Sequence, residues 1–524
     1  MDNQVQGIMV KAKRKRASAP VYVSPNQLTI DGFQTPFDQQ LAKDNRWVVL
    51  ANLIPWDEVC AIYLKHVGVS STGRPAISPR VVIGSLIIKH LGNLDDREAV
   101  EQIRENMYMQ YFLGYSSFTT AQPFDPTLFV EFRKRLGMDN LNAINDKIIA
   151  LKTKLEASKT QPKQSDLDQD PTDHNSGSEN RGRVIFDATA CPQDIAYPTD
   201  LNLLSDAREK AEHLIDILYD PELHVKKPRT YRKVARRRYL HTAQKKNKFQ
   251  KEIRKANGSQ LRFLLRDLNS INRLLSAYPQ IPLDKKDLKY LFVINTVYDQ
   301  QKKMYDSHSH SVEDRIVSIH QPHVRPIVRG KSQAKVEFGA KIHVSIIDGI
   351  SFLDELSWDA FNEGSHMMDY VERYHARFGC YPRELLADKI YCTRANRAAL
   401  KEKGIKLLAK PLGRPSAVQK HVSPGERNPI EGKFGQAKTA YGLNRIRARL
   451  RETSESWIAC IFLVLNLVKL AGVALPCLLL KIIRSFSVWV IVKSLSRSAD
   501  QIYNQIISPT VWVNPDRVGI KIIG

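Results

Sequence analysis

Between residues 157 and 182 the composition changes abruptly to Ser, Gln, Asp, Asn, Gly and Pro, with apolar-patterned chain on either side. Such a stretch cannot bury enough apolar surface to offset the entropy of ordering it, so it reads as a linker. It marks the domain boundary and divides the chain into two blocks with different periodicity. Before it, over 41–156, the spacing is helical: Val81, Leu86, Ile87 and Leu91 recur along one stretch, and Leu128, Phe129, Phe132 and Leu136 along another. Ser78-Pro79 and Asp125-Pro126 read as helix starts. An all-α domain of five to seven short helices is predicted. Residues 1–40 form a basic arm with Lys11, Lys13, Arg14, Lys15 and Arg16, and hold no apolar stretch of signal-peptide kind.

After the linker, 184–190 is short, β-prone and carries Asp187. A helical, basic stretch follows over about 200–310. Strands over 336–347 and 350–356 join at an Asp348-Gly349 turn. A helix (364–378), a strand (384–388), a helix (393–403) and a strand (405–409) come next, and Asn428-Pro429 opens a further helix. That order implies an α/β fold, a mixed sheet covered by helices. The catalytic block would run over 183–480, with 481–524 as a C-terminal tail. Residues 457–490 are apolar, but Asn466, Lys469, Pro476, Lys481 and Arg484 interrupt the run. The uninterrupted pieces are shorter than the roughly 20 residues a membrane span needs, so buried core helices are expected and no membrane partner.

Charge narrows the function. The 524 residues carry a formal charge of +24, which predicts a polyanionic partner. Fourteen Lys/Arg and one acid, Glu252, lie within 226–255, interleaved with Tyr231, Tyr239 and Phe249. With so few acids nearby, i,i+4 pairing cannot relieve the repulsion, and the counter-charge is expected from nucleic acid. Arg236, Arg237 and Arg238 are the candidate phosphate contacts. Six cysteines with no C-x-x-C argue against a disulfide scaffold or a zinc ribbon and for a reducing, cytoplasmic setting.

Three carboxylates stand out. Asp187 sits within an apolar strand and Asp388 ends another, and an acid in such surroundings needs a partner. Strand-end carboxylates that converge at a sheet edge suit Mg²⁺, which takes one or two of them and keeps waters and phosphate oxygens. Glu431 shares a helix face with Lys438, two turns on, and Arg427 precedes the helix. Asn428-x-x-Glu431 also has the spacing of a capping box, which would make Glu431 a helix cap. Gly432 and Gly435 suggest a close approach to another backbone or a ligand. His308, His310, His320 and His323 lack the companions of a familiar zinc site and read as loop or core histidines. Tyr391 and Tyr441 are weak candidates for a nucleophile. Asp194, Asp200, Asp348 and Glu363 are the spare acids should Glu431 be a cap.

Taken together, these segments resemble the bacterial insertion-sequence DDE transposases of the insertion-sequence-4 and insertion-sequence-5 groups. The matching residues are the strand around Asp187, Leu385-Leu386-Ala387-Asp388-Lys389-Ile390-Tyr391, and Arg427-x-x-x-Glu431-x-x-x-x-x-x-Lys438 followed by Tyr441-Gly442-Leu443-Asn444-Arg445. The helical region from Phe124 to Leu136 resembles the family's N-terminal domain. Pro424 and Ile390 depart from the family pattern, which often has Tyr and Gly there. The resemblance implies an RNase H-like core with a helical insertion, in which Asp187, Asp388 and Glu431 hold two Mg²⁺ ions (Mn²⁺ as a substitute). Arg427 and Lys438 would contact the phosphate near the scissile bond. It implies binding of double-stranded DNA, both element ends and target, by a homodimer associated with the nucleoid. The function implied is cleavage and strand transfer at terminal inverted repeats. A non-catalytic DNA-binding derivative or a metal-dependent nuclease would share most of these features.

Overall fold

The computed structural model describes residues 41–67, 77–157, 180–328, 336–409 and 424–472. The basic arm, most of the linker and everything after residue 472, including the second apolar piece and the tail, lie outside the described residues.

Six helices precede the linker: α1 (Arg46–Leu53), α2 (Trp56–Val67), α3 (Pro79–Leu91), α4 (Asp96–Glu105), α5 (Met107–Phe112) and α6 (Leu128–Ala157). Pro79 opens α3 as expected, although the Ser78 side chain makes no capping bond. Asp95 and Asn106 do cap, each accepting two backbone N–H groups at the starts of α4 and α5. The long α6 is broken at Gly137, whose φ of 64° interrupts the helical path.

Strand β1 (Arg183–Pro192) begins the second block, and four helices follow: α7 (Asp200–Leu218), α8 (Arg232–Ala243), α9 (Gln250–Leu275) and α10 (Lys285–Asp306). Then come β2 (Arg325–Val328), β3 (Val336–Ile347), β4 (Ile350–Ser357), α11 (Met367–Phe378), β5 (Glu384–Leu386), α12 (Arg394–Glu402), β6 (Lys406–Leu408) and α13 (Asn428–Ala440). A last helix, α14, spans Arg451–Gly472. The six strands form one mixed sheet. β1 lies at its centre, antiparallel to β3 on one side and parallel to β5 on the other, and β6 extends the parallel half. β4 and β2 share the far edge of β3, both antiparallel to it. Asp348 and Gly349, with φ of 50° and 79°, form the tight connection between β3 and β4. Positive φ at both central residues is what a two-residue hairpin turn requires, and glycine adopts it at no steric cost.

Alternation along β1 sends Val184 and Phe186 to one face, where they pack with Tyr370, Val371 and Tyr374 of α11. Ile185 and Cys191 face the other way, into a core shared with Ile430 and Phe434 of α13, most of α14, and the helices before the linker. The apolar core therefore does not stop at the linker. α14 is long and apolar enough to cross a membrane, but most of it is buried in this core. Asn466 explains the polar interruption in its sequence. Fully buried, it donates to Asn145 of α6 and to the Ser351 carbonyl of β4, and accepts from the Ser351 N–H. One side chain thus ties the N-terminal helices to the sheet through α14.

Helices α7–α10 build a separate core from Leu204, Leu214, Leu264, Ile271 and Ile294. Beside it, Arg208 is buried between Glu212 and Gln260, and Gln260 donates to the Ala235 carbonyl of α8. Asp267, also buried, has one carboxylate oxygen without a partner among the described residues. Burial, and secondarily Glu212, push its carboxyl up to about 7. A carboxyl raised on folding contributes stability that is fully present below its unfolded value near 3.8 and is lost as pH rises through about 7. Asp267→Asn should abolish this loss, so that urea midpoints at pH 5.5 and 8.5 converge. A variant with the wild-type pH dependence would show that Asp267 stays charged.

Candidate active site

The chain leaves the sheet immediately after β5, and Asp388 caps the short 3₁₀ turn Lys389–Tyr391, accepting from the Lys389 N–H at 2.7 Å. That turn is held from behind. Asn396 of α12 donates to the carbonyls of Gly364 and Tyr391, and a Cβ on Gly364 would stand 2.4 Å from the Ile390 carbonyl oxygen. Gly364 and Asn396 therefore position Asp388, a role that sequence reading missed because it lies in backbone contacts between distant segments. The residue at 390 touches Gly364 with its carbonyl, a contact any side chain at 390 permits.

Asp187 projects from β1, with one oxygen accepting from the Ala188 N–H at 2.8 Å. Burial raises its carboxyl above the usual carboxylate range. The Ala188 N–H and Arg427 pull it back, and the nearby acids Asp388 and Glu363 raise it further. Arg427, at the N-terminus of α13, spans both acids. One guanidinium nitrogen lies 3.2 Å from Asp388 Oδ1 and the other 3.4 Å from Asp187 Oδ2. One residue of the sheet, one just past the end of β5 and one far along the chain thus meet at one point, with Arg427 where the sequence had suggested a third acid.

Glu431 stands one turn beyond Arg427 on α13 and is exposed. It forms no capping box. The helix starts at Asn428, one residue earlier than that motif requires, with Arg427 as the cap residue and no side-chain capping bond. Gly432 and Gly435 lie in open space, with nothing within 4 Å of an added Cβ, so neither meets another backbone among the described residues. The helix face bearing Glu431 is open above them. Lys438 is half-buried two turns on.

The other candidates are committed elsewhere. Asp194 pairs with Arg445, Asp200 with Arg315 and Glu363 with Lys341, while Asp348 sits in the hairpin turn. The Tyr391 hydroxyl is buried without a partner among the described residues, and burial raises its pKa, which makes it a poor nucleophile. Burial also raises the pKa of Tyr441. His308 meets Arg254, His320 meets Tyr290, and His323 packs edge-on against Trp358.

Asp187 and Asp388 suit a hard divalent cation, because both carboxylates already converge on one positive charge, the Arg427 guanidinium. Among the described residues, no three His, Cys, Asp or Glu side chains gather closely enough to hold a metal, so Glu431 does not complete that set by its position alone.

Comparison with known proteins decides the family. Residues 35–135 match a family described as a transposase domain, and residues 385–468 match one described as a transposase DDE domain. An uncharacterized protein of Rhizobium meliloti, ORF8 in the nfe locus, is 31% identical over 222 residues, covering 41% of this chain and 94% of that protein. The chain belongs to the insertion-sequence DDE transposases. No solved structure matches it. The DDE-domain match takes in Asp388, Arg427, Glu431 and Lys438, whereas Asp187 and the α7–α10 insertion fall outside both matched ranges. The transposase is thus a DNA-acting enzyme with a mixed α/β catalytic body, and the matched families leave its subgroup unspecified.

The basic segment is placed on α8, the following loop and the start of α9. The expectation that its cations lack protein partners needs correcting for one side of α8. Arg232 and Lys227 pair with Asp216, Arg232 also approaches Glu212, and Arg236 lies 3.9 Å from Glu209. These acids all come from α7, which is why counting acids within the segment overlooked them. Arg237 and Arg238 line a groove between α8 and α9.

Proposed function

We propose that Asp187, Asp388 and Glu431 are the carboxylates with which this transposase binds divalent metal, cuts DNA at its element's terminal inverted repeats and joins the freed ends to target DNA. The observation that carries this reading is the convergence of Asp187, on β1, and Asp388, just beyond the end of the adjacent parallel strand β5, on one cationic group. The strand order supports an RNase H-like core. Three antiparallel strands, β4, β3 and β1, continue into two strands parallel to β1, with Asp187 on the central strand and Asp388 just past the end of its parallel neighbour. Bound between these carboxylates, Mg²⁺ or Mn²⁺ would activate the attacking oxygen and stabilise the leaving one.

The chain's own residues supply the rest. Asp187 is fixed by its strand and the Ala188 N–H, Asp388 by its turn and Asn396. Arg427 counterbalances both acids and lies where a scissile phosphate would approach, with Lys438 further along the same helix. Glu431, released from any capping duty, faces open space on that side and is the third ligand. Motion of the short Pro424–Glu426 turn and the start of α13 would bring it towards the aspartates.

The test is incubation with DNA carrying the element's own ends and Mg²⁺, scoring nicks and joined products. Glu431→Gln should fold normally and bind DNA yet lose both products by about tenfold or more, since a neutral amide is a poor ligand for a hard cation. Normal cleavage by this variant would remove Glu431 from the metal set. Binding without cleavage by the wild-type protein would favour a non-catalytic derivative, and nicks without joining a nuclease.

A further inference from the structure

We propose that the groove between α8 and α9 holds the phosphodiester backbone of an unpaired DNA strand, and that Phe249 stacks on one of its bases. The site lies in the insertion, outside both family matches. It rests on the DNA-acting reading above but not on the carboxylate assignment.

The groove has a volume of about 630 Å³ and is lined from α8 by Arg237, Arg238, His241 and Thr242, and from α9 by Lys255, Ser259 and Arg262. At one end Lys245 pairs with Glu252, the only acid on its walls. Unlike Arg232 and Lys227 on the α7 side, Arg237, Lys255 and Arg262 are exposed and make no ion pair or hydrogen bond among the described residues. Cations from two helices therefore face one another across a trough with hydroxyls on its floor. A row of phosphate oxygens would satisfy both kinds of donor. Arg238 is steadied there by Ser259 Oγ at 3.4 Å and by the Phe263 ring.

Phe249 specifies the form of the nucleic acid. It is the cap residue of α9, three positions before Glu252, and thus adjoins the Lys245–Glu252 end of the groove. The residue is 72% exposed, with Lys246, Lys248 and Lys251 exposed beside it in the chain. A phenyl ring so placed gains nothing from the protein core. Stacked on a base, it would recover an apolar contact while the lysines hold the flanking phosphates, the usual arrangement for single-strand binding. The bases of intact duplex are already stacked on one another and offer no such face.

The test is fluorescence anisotropy on the full chain in EDTA, with a labelled single strand and the duplex of the same sequence, over a series of salt concentrations. Replacing Arg237, Lys255 and Arg262 together with Ala should flatten the single-strand salt slope by about two units. Phe249→Ala should weaken single-strand binding roughly tenfold and duplex binding little, and Phe249→Trp should restore it. Lys227→Ala, on the α7 side, should leave the slope unchanged. An unchanged slope in the triple variant overturns the groove. Equal losses on both DNAs for Phe249→Ala overturn the unpaired strand. The measurement scores binding alone and without divalent metal, so an error in the carboxylate assignment would show in cleavage and leave these results untouched.

Discussion

Asp187→Asn should abolish both cleavage and joining, by at least about a hundredfold, while DNA binding and thermal stability stay near wild type. The substitution keeps the shape of the side chain, and its carbonyl oxygen can still accept the Ala188 N–H that fixes the Asp187 side chain on β1. What disappears is one of the two negative charges converging beside Arg427. Stability should survive for the same reason. Burial already disfavours the charged form of Asp187, so a neutral side chain costs the fold little there. Nicking and joining measured beside a melting curve would separate the two effects. A variant that melts early, or that cuts at wild-type rate, would mean that Asp187 serves the sheet and not the chemistry.

The sequence showed the parts of this site that depend on local pattern. An acid inside an apolar strand and an acid at the end of another are visible without coordinates, and the two lie beside each other; that Arg427 and not Glu431 stands between them was not. The β3–β4 hairpin was equally plain, because apolar, β-prone runs flank the Asp348-Gly349 turn, although the register shift at His343 and Val344 left no mark in the sequence. What stayed hidden depends on residues far apart. β2 escaped notice because four residues containing Pro326 carry almost no strand signal, and it pairs only with the first residues of β3. The restraint of Asp388 by Asn396 and Gly364 is made of backbone carbonyls. The capping-box spacing at Asn428 and Glu431 misled, because the helix takes in Asn428 and begins one residue before the motif expects. The composition of the linker reads as a boundary, yet the core passes from α6 to the sheet through α14, and nothing near Asn145 or Ser351 in sequence points to Asn466.

That shared core makes a strong prediction at Asp96. Lys89 of α3 and Arg133 of α6 are almost fully buried, with side chains 1% and 4% exposed, and Asp96 bridges them at 3.0 and 2.9 Å. Both cations also lie against Trp457 of α14, at 4.4 and 5.4 Å from its ring, and the Ser456 hydroxyl donates to the Arg133 carbonyl. Burial lowers the Lys89 pKa to about 8 even with Asp96 beside it, a sign of how much the ammonium depends on that carboxylate. Asp96→Ala would leave two buried cations without a counter-ion at the junction of three helices. Breaking such a pair costs about 3–5 kcal/mol, a large part of the 5–15 kcal/mol by which a typical domain is stable. The adjacent Asp95→Ala is the control. Asp95 caps α4 through the N–H groups of Arg97 and Glu98, and its loss should cost only about 1 kcal/mol. Denaturant unfolding of the pair should therefore differ severalfold in the change of stability. Because α14 directly follows the segment that carries Arg427 and Glu431, the Asp96 variant should lose cleavage at a lower temperature than wild type. Equal unfolding of the two variants would show that Trp457 and the surrounding apolar contacts hold this junction without the ion pairs.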